Sequence, residues 1–367
     1  MDTTPASGPL AGLKVVEFAA IGPSPFCAML LADLGADVLR IDRPGGQPTG
    51  FESILNRGRL TVELDLKSPE GRAAALDLCK QADLLLEGFR PGVMERLGLG
   101  PEAVHAQNPK LVFGRMTGWG QTGPLARAAG HDINYVALTG ALHAIGTEDK
   151  PTPPLNLVGD FGGGGLYLAM GLLSAYIHAQ RTGQGQVIDC AMIDGASSLM
   201  SFVYGFKGEG RWQDGRRVNI LDGGAPFYDT YQCACGGWIA LGSLEPQFFA
   251  ELCTRLGLEH RPPEIQNDPA HWPKLRAEIT TAIAAKTRSE WCERLEGTDV
   301  CFAPVATLAE APLHPHNQAR GTFVEIDGVP QPAPAPRFSA TPGRIKAELT
   351  GEKIEVGAAL KRWRRAD

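Results

Sequence analysis

Neither a leader nor a membrane anchor is expected from this sequence. Met1-Asp2-Thr3-Thr4-Pro5 lacks a basic stretch followed by an apolar one, and no apolar run approaches the roughly 20 residues of a membrane span. Cysteine is sparse. Eight residues, at positions 27, 79, 190, 233, 235, 253, 292 and 301 of 367, are too scattered for a secreted disulfide framework and fit a reducing cytosol. Cys233-Ala234-Cys235 has no second pair at zinc spacing, so no metal site is expected. Basic residues are not in excess either: 35 Lys+Arg against 41 Asp+Glu give a net charge of −6. That balance excludes a general nucleic-acid binder and leaves any anionic ligand to local arginines. Arg364-Arg365-Ala366-Asp367 reads as neither a peroxisomal nor a retention address. The expected setting is a bacterial cytoplasm, with no nucleic acid and no membrane span.

What is present is a chain that can bury a core. With 43% hydrophobic and 21% charged residues, its length predicts two domains. Leu13 to Phe18 reads as a buried strand, Pro25 to Leu34 as a helix and Asp37 to Ile41 as a strand. The rhythm continues through Leu60 to Leu64, a helix from Ser68-Pro69 to Lys80, Asp83 to Glu87 and Leu111 to Met116. Ser68 is a good cap and Pro69 fits the first helical position. Short apolar strands alternating with helices predict a doubly wound, mainly parallel α/β sheet, Rossmann-like, with its ligand crevice at the strands' carboxyl ends. Arg40, Arg43, Arg90 and Arg115 fall at or just beyond such ends.

The predicted large domain covers 1–206 and is completed by 325–367. Glycine and charge mark a linker over 207–224. A smaller α+β domain with its return linker occupies 225–324, with strands at Phe227 to Cys233 and Trp238 to Leu241. Its helices are predicted at Pro246 to Leu256, at Trp272 to Ala285 and after the capping box Thr287-Arg288-Ser289-Glu290. Pro330 to Pro336 reads as extended, and Val356 to Arg364 as a final basic helix.

Two titratable residues stand out: His131 in Gly130-His131-Asp132-Ile133-Asn134-Tyr135, and Asp160 in Asn156-Leu157-Val158-Gly159-Asp160-Phe161. Taken alone, such a histidine is usually structural and such an aspartate a helix cap. As a pair they suit proton removal beside a carbonyl, with one proton carrier on each face of the carbon. Gly162 to Gly165 forms no phosphate loop and reads as a site of close helix packing.

Several motifs together carry a specific resemblance. They are Pro9-Leu10-Ala11-Gly12-Leu13-Lys14-Val15-Val16-Glu17, Leu34-Gly35-Ala36-Asp37-Val38-Leu39-Arg40-Ile41-Asp42-Arg43-Pro44, Glu87-Gly88-Phe89-Arg90-Pro91-Gly92 and Thr117-Gly118-Trp119-Gly120-Gln121-Thr122-Gly123-Pro124. The His131 and Asp160 segments and Gly242-Ser243-Leu244-Glu245-Pro246-Gln247-Phe248 complete the set. Over nearly its whole length the chain resembles the family III CoA transferases and, among them, the branch that racemises 2-methyl-branched acyl-CoA thioesters.

The resemblance implies racemisation or epimerisation at carbon 2 by 1,1-proton transfer through an enolate. It assigns His131 and Asp160 as the two bases and gives Glu245 a place in the site of a partner subunit. It also implies CoA contacts from Arg40, from Leu64, Asp65, Leu66 and Lys67, from Gly88, Phe89 and Arg90, from Arg96, and from Gly130, Asp132, Ile133, Asn134 and Tyr135. No cofactor is implied beyond the CoA of the substrate, and an interlocked homodimer is. The transferase branch, where Asp160 would be a nucleophile, typically carries a tyrosine at the position of His131, so the imidazole favours proton transfer. A non-catalytic CoA-ester-binding protein is the third reading. Amides at the helix start from Asp160 to Gly163 are the expected enolate donors.

Overall fold

Consecutive residues of a strand point to opposite sides of a sheet, and a strand covered on both sides reads as an unbroken apolar run. The computed structural model of the chain describes residues 8–46, 52–259 and 261–364. Lys14–Phe18 (β1), Asp37–Asp42 (β2), Leu60–Glu63 (β3), Leu84–Glu87 (β4), Val112–Thr117 (β5) and Val187–Ala191 (β6) form one sheet in the order β3-β2-β1-β4-β5-β6. All its neighbouring strands are parallel. Val15, Val38, Leu84, Leu86 and Val112 join one core beneath the helices Pro23–Asp33 and Tyr167–Thr182. Val16, Leu39, Leu85 and Phe113 join a second core, covered by the helices Pro69–Gln81 and Val356–Trp363. This is the predicted doubly wound sheet.

Local signals set the element ends. Ser68 Oγ accepts the Gly71 N–H at 2.9 Å, and Pro69 opens its helix. The first helix begins two residues earlier than the sequence predicts, at Pro23, because Pro23 itself fills a first-turn position where no N–H is needed. At the sheet edge Thr61 exchanges backbone hydrogen bonds with Glu352 and Ile354, and Trp363 is buried at the chain's far end.

The expectation that no apolar run approaches spanning length needs correction. Leu157–Leu166 is a π-helix that runs directly into Tyr167–Thr182, giving one 26-residue helix apolar enough by length and composition to cross a membrane. Its Leu168, Leu172, Ala175 and Ala179 instead pack into the core against the sheet. The glycine run Gly162–Gly165 permits close packing: a Cβ on Gly195, in the helix Met192–Leu199, would overlap the carbonyl of Gly163.

The described residues group into two compact units. The first draws on Met1–Thr139, Leu155–Met200 and Phe323–Asp367, the second on Gly140–Pro154 and Ser201–Thr322. The second unit therefore takes in an excursion, Gly140–Pro154, that the sequence reading leaves in the large domain. Arg216 fixes it by donating to the carbonyls of His143, Thr147 and Glu148 at 3.2, 2.7 and 3.0 Å. The start of the predicted linker overlaps the helix Ser201–Gly208. Tyr228–Gln232 (β7), Trp238–Gly242 (β8) and Phe302–Pro304 (β9) make an antiparallel sheet in that order. It packs on the helices Pro246–Leu256, Trp272–Ala284 and Arg288–Leu295 through Phe227, Phe249, Trp272, Ile279 and Trp291. The Thr287/Glu290 capping box is formed. Phe323–Ile326 (β10) and Val329–Pro332 (β11) form a hairpin that returns the chain to the first unit.

Candidate active site

Strand order reverses between β1 and β4, so the loops that leave their carboxyl ends diverge and open a crevice. Two adjoining cavities fill it, both within the first unit. The larger, about 990 Å³, is lined by the loop after β1, by Gly88–Arg90 after β4, by Met116–Trp119 at the end of β5, and by His131, Asn134, Tyr135, Asn156, Asp160 and Phe161. The smaller holds Arg40, Arg43, Leu64, Asp65, Leu66 and Lys67. Ala20, Ile21 and Phe89 belong to both walls.

His131 caps the short helix Asp132–Ala137 and is exposed. Its N–H donates to Asn134 Oδ1 at 3.0 Å, fixing the backbone that carries the imidazole. Beneath it Tyr135 is buried edge-on against Trp119, with ring centroids 4.8 Å apart, and its hydroxyl donates to the Gly130 carbonyl. The wide turns of the π-helix carry Asp160 to the same cavity, and Phe161 stacks on Phe26 at 4.3 Å to hold that turn against the first helix. Burial raises the Asp160 carboxyl above the usual carboxylate range; the neighbouring Asp132 charge adds to this, while Asn156 and His131 oppose it. The Asp160 carboxylate also lies beside Gly22, where the helix Pro23–Asp33 begins: a Cβ there would sit 3.3 Å from Oδ2.

Asp132 does not line the cavity. Its Oδ2 accepts the Asp160 N–H at 2.7 Å, an approach open only because residue 159 is glycine. This corrects the expected enolate donors. The Asp160 amide is taken by Asp132 and the Phe161 amide by the Asn156 carbonyl at 3.2 Å, because the π-helix starts at Leu157, ahead of Asp160.

The remaining sequence-predicted residues divide. Gly88, Phe89, Arg90, Gly130, His131, Asn134, Tyr135 and Asp160 share the larger cavity, and Arg40 with Leu64–Lys67 lines the smaller. Ile133 and Arg96 are exposed and line neither cavity. Glu245 is exposed in the second unit at the cap of the helix Pro246–Leu256. Arg40 is only 7% exposed and already donates to Asp42 Oδ2 at 3.1 and 3.4 Å and to Asn56 Oδ1 at 2.7 Å. The freer cations beside it are Arg43 and Lys67. Arg43 is legible as a strand-end arginine; Asn56, sixteen residues from Arg40, has no local signal.

A buried acidic floor supports the crevice. Glu17 Oε2 meets Arg59 Nη1 at 2.6 Å. Glu87, at the end of β4, accepts the Phe89 N–H at 2.6 Å and Arg115 Nε at 3.1 Å. Burial pushes the Glu87 carboxyl up to about 7, against the pull of the Phe89 amide and Arg115.

Comparison with known proteins assigns a family. The model of CoA-transferase family III matches residues 10–349. The chain belongs to that family. It is 48% identical over 336 residues to the α-methylacyl-CoA racemase of Mus musculus, covering 91% of this chain and 87% of the mouse protein. Identity to the α-methylacyl-CoA racemase of Homo sapiens is 47% over 329 residues, covering 89% and 86%. The crystal structure of a CAIB/BAIF family protein from Brucella suis superposes with a TM-score of 0.82 at 28% identity, over 97% of this chain and 99% of that one. This family III member therefore carries its two titratable residues in a crevice formed by the fold it shares with its relatives.

Proposed function

We propose that this chain racemises 2-methyl-branched acyl-CoA thioesters at carbon 2 by 1,1-proton transfer. The observation that carries the reading is that His131 and Asp160 line one cavity at the sheet's switch point, with the proton affinity of Asp160 raised. Their place in that cavity matches the need for two proton carriers, and the mouse and human relatives act on the same class of thioester.

In one direction neutral His131 removes the α-proton. The C–H electron pair moves into the thioester carbonyl to give an enolate, and the protonated carboxyl of Asp160 returns a proton to the opposite face. In the other direction ionised Asp160 takes the proton and imidazolium His131 delivers one. Burial raises the proton affinity of this carboxyl, which suits it to give as well as take a proton, as the two directions require. Developing negative charge on the enolate oxygen needs fixed donors. The smaller cavity, with Arg40, Arg43 and Lys67, suits the phosphates of CoA, and the larger takes the thioester and acyl group.

The test is turnover of a single enantiomer of 2-methylacyl-CoA with no carboxylate acceptor and with hydroxylamine present. Racemisation without trapping supports the reading. Inactivation by hydroxylamine, together with CoA transfer once an acceptor is added, makes Asp160 a nucleophile and overturns it.

A further inference from the structure

Asn56 follows the short helix Glu52–Leu55 and is 5% exposed. Its Oδ1 accepts Arg40 Nη1 at 2.7 Å and Arg59 Nη2 at 2.8 Å. Guanidinium groups hold donors only, so the atom between them must be the oxygen, and the amide nitrogen is fixed on the other side. That nitrogen, Nδ2, is buried and has no hydrogen-bond partner among the described residues. A buried amide donor left unpaired is costly. With two cations holding the oxygen, the side chain cannot flip to relieve it.

The position of Asn56 indicates what completes it. Ile54, Leu55 and Asn56 line the larger cavity, its partner Arg40 lines the smaller, and Ala20, Ile21 and Phe89 form the wall they share. A ligand that fills both cavities crosses this boundary. With phosphates at the Arg40 end and a thioester at the His131 end, the segment that crosses is the pantetheine arm, which offers two amide carbonyls. We infer that Asn56 is a substrate-binding residue whose Nδ2 donates to an amide carbonyl of that arm, its geometry locked by Arg40 and Arg59. The inference rests on the acyl-CoA reading above.

Two substitutions separate this role from a structural one. Asn56→Asp keeps an oxygen for both guanidinium groups and removes only the donor, whereas Asn56→Ala removes both. Calorimetric Kd and exchange kinetics are measured with a 2-methylacyl-CoA and with the matching 2-methylacyl-pantetheine, which keeps both amides and lacks the nucleotide. Asn56→Asp is expected to weaken Kd and raise KM about 10-fold for both thioesters, the worth of one hydrogen bond. Its kcat should stay within about 2-fold and its melting temperature should hold. Unchanged Kd in Asn56→Asp, with a lower melting temperature in Asn56→Ala, would leave Asn56 as a staple for the arginines and overturn the inference. A penalty seen with the CoA ester but absent with the pantetheine ester would place the acceptor in the nucleotide and also contradict it. Wild type that binds both thioesters with the expected Asn56→Asp penalty but exchanges no proton would defeat the racemase reading while leaving the binding role intact. Wild type that binds neither thioester would defeat both.

Discussion

The carboxylate of Asp132 accepts the backbone N–H of Asp160 at 2.7 Å, and its charge raises the proton affinity of the Asp160 side chain. One acidic residue thereby orients another and tunes it. The arrangement depends on the π-helix, which brings residue 160 round to face Asp132, and on Gly159, whose missing side chain leaves room for the carboxylate.

Asp132→Asn keeps an oxygen for the Asp160 amide and removes the charge. The acid limb of the pH profile of kcat/KM should move to lower pH, because one cause of the raised Asp160 pKa is gone. Activity at neutral pH should fall by about 10-fold or less. An unchanged acid limb would mean that Asp160 is not the group it reports.

Glu87 makes stability itself pH-dependent. Its folded pKa, pushed up to about 7 by burial, lies above the ordinary glutamate range, so between the two the folded state binds more protons than the unfolded one. The stabilisation this gives is complete below the ordinary range and is lost as pH rises through about 7. Relative to Glu87→Gln, wild type should therefore lose melting temperature between pH 5 and pH 8. A constant difference across that window would contradict the assignment.

Much of the architecture is written locally. Ser68 with Pro69 and Thr287 with Glu290 announce helix starts because a cap needs only a residue and its near neighbours. The β1 to β5 runs are legible because burial on both faces keeps most of their residues apolar. What escaped depends on distant partners. The three-residue strand β9 is too short to carry an alternation, and Gly140–Pro154 joins the second unit through Arg216, about seventy residues on. The pairing of His131 with Asp160 is legible only through motif resemblance. The loss of the Asp160 amide to Asp132 and the double arginine clamp on Asn56 follow from tertiary placement and have no signature in spacing.

Close packing of the glycine run also has a measurable cost. Gly195→Ala should destabilise the protein by about 3 kcal/mol, since the new methyl meets the backbone of Gly163 and neither helix can yield easily. Gly205→Ala, in the helix Ser201–Gly208, meets nothing within 4 Å. It should instead stabilise by about 0.5–1 kcal/mol. Denaturant unfolding of both variants checks the contrast.

The most direct measurement is deuterium incorporation at carbon 2 from solvent, starting from (2R)- and from (2S)-2-methylacyl-CoA, without an acceptor, for wild type, His131→Ala and Asp160→Ala. Wild type should exchange and invert both enantiomers, and each variant should lose inversion by about 10²–10⁴-fold. Any exchange left in a variant should be confined to the face served by its remaining base. Inversion that survives in either variant, or an absence of exchange in wild type alongside CoA transfer to an added carboxylate, would contradict the two-base account.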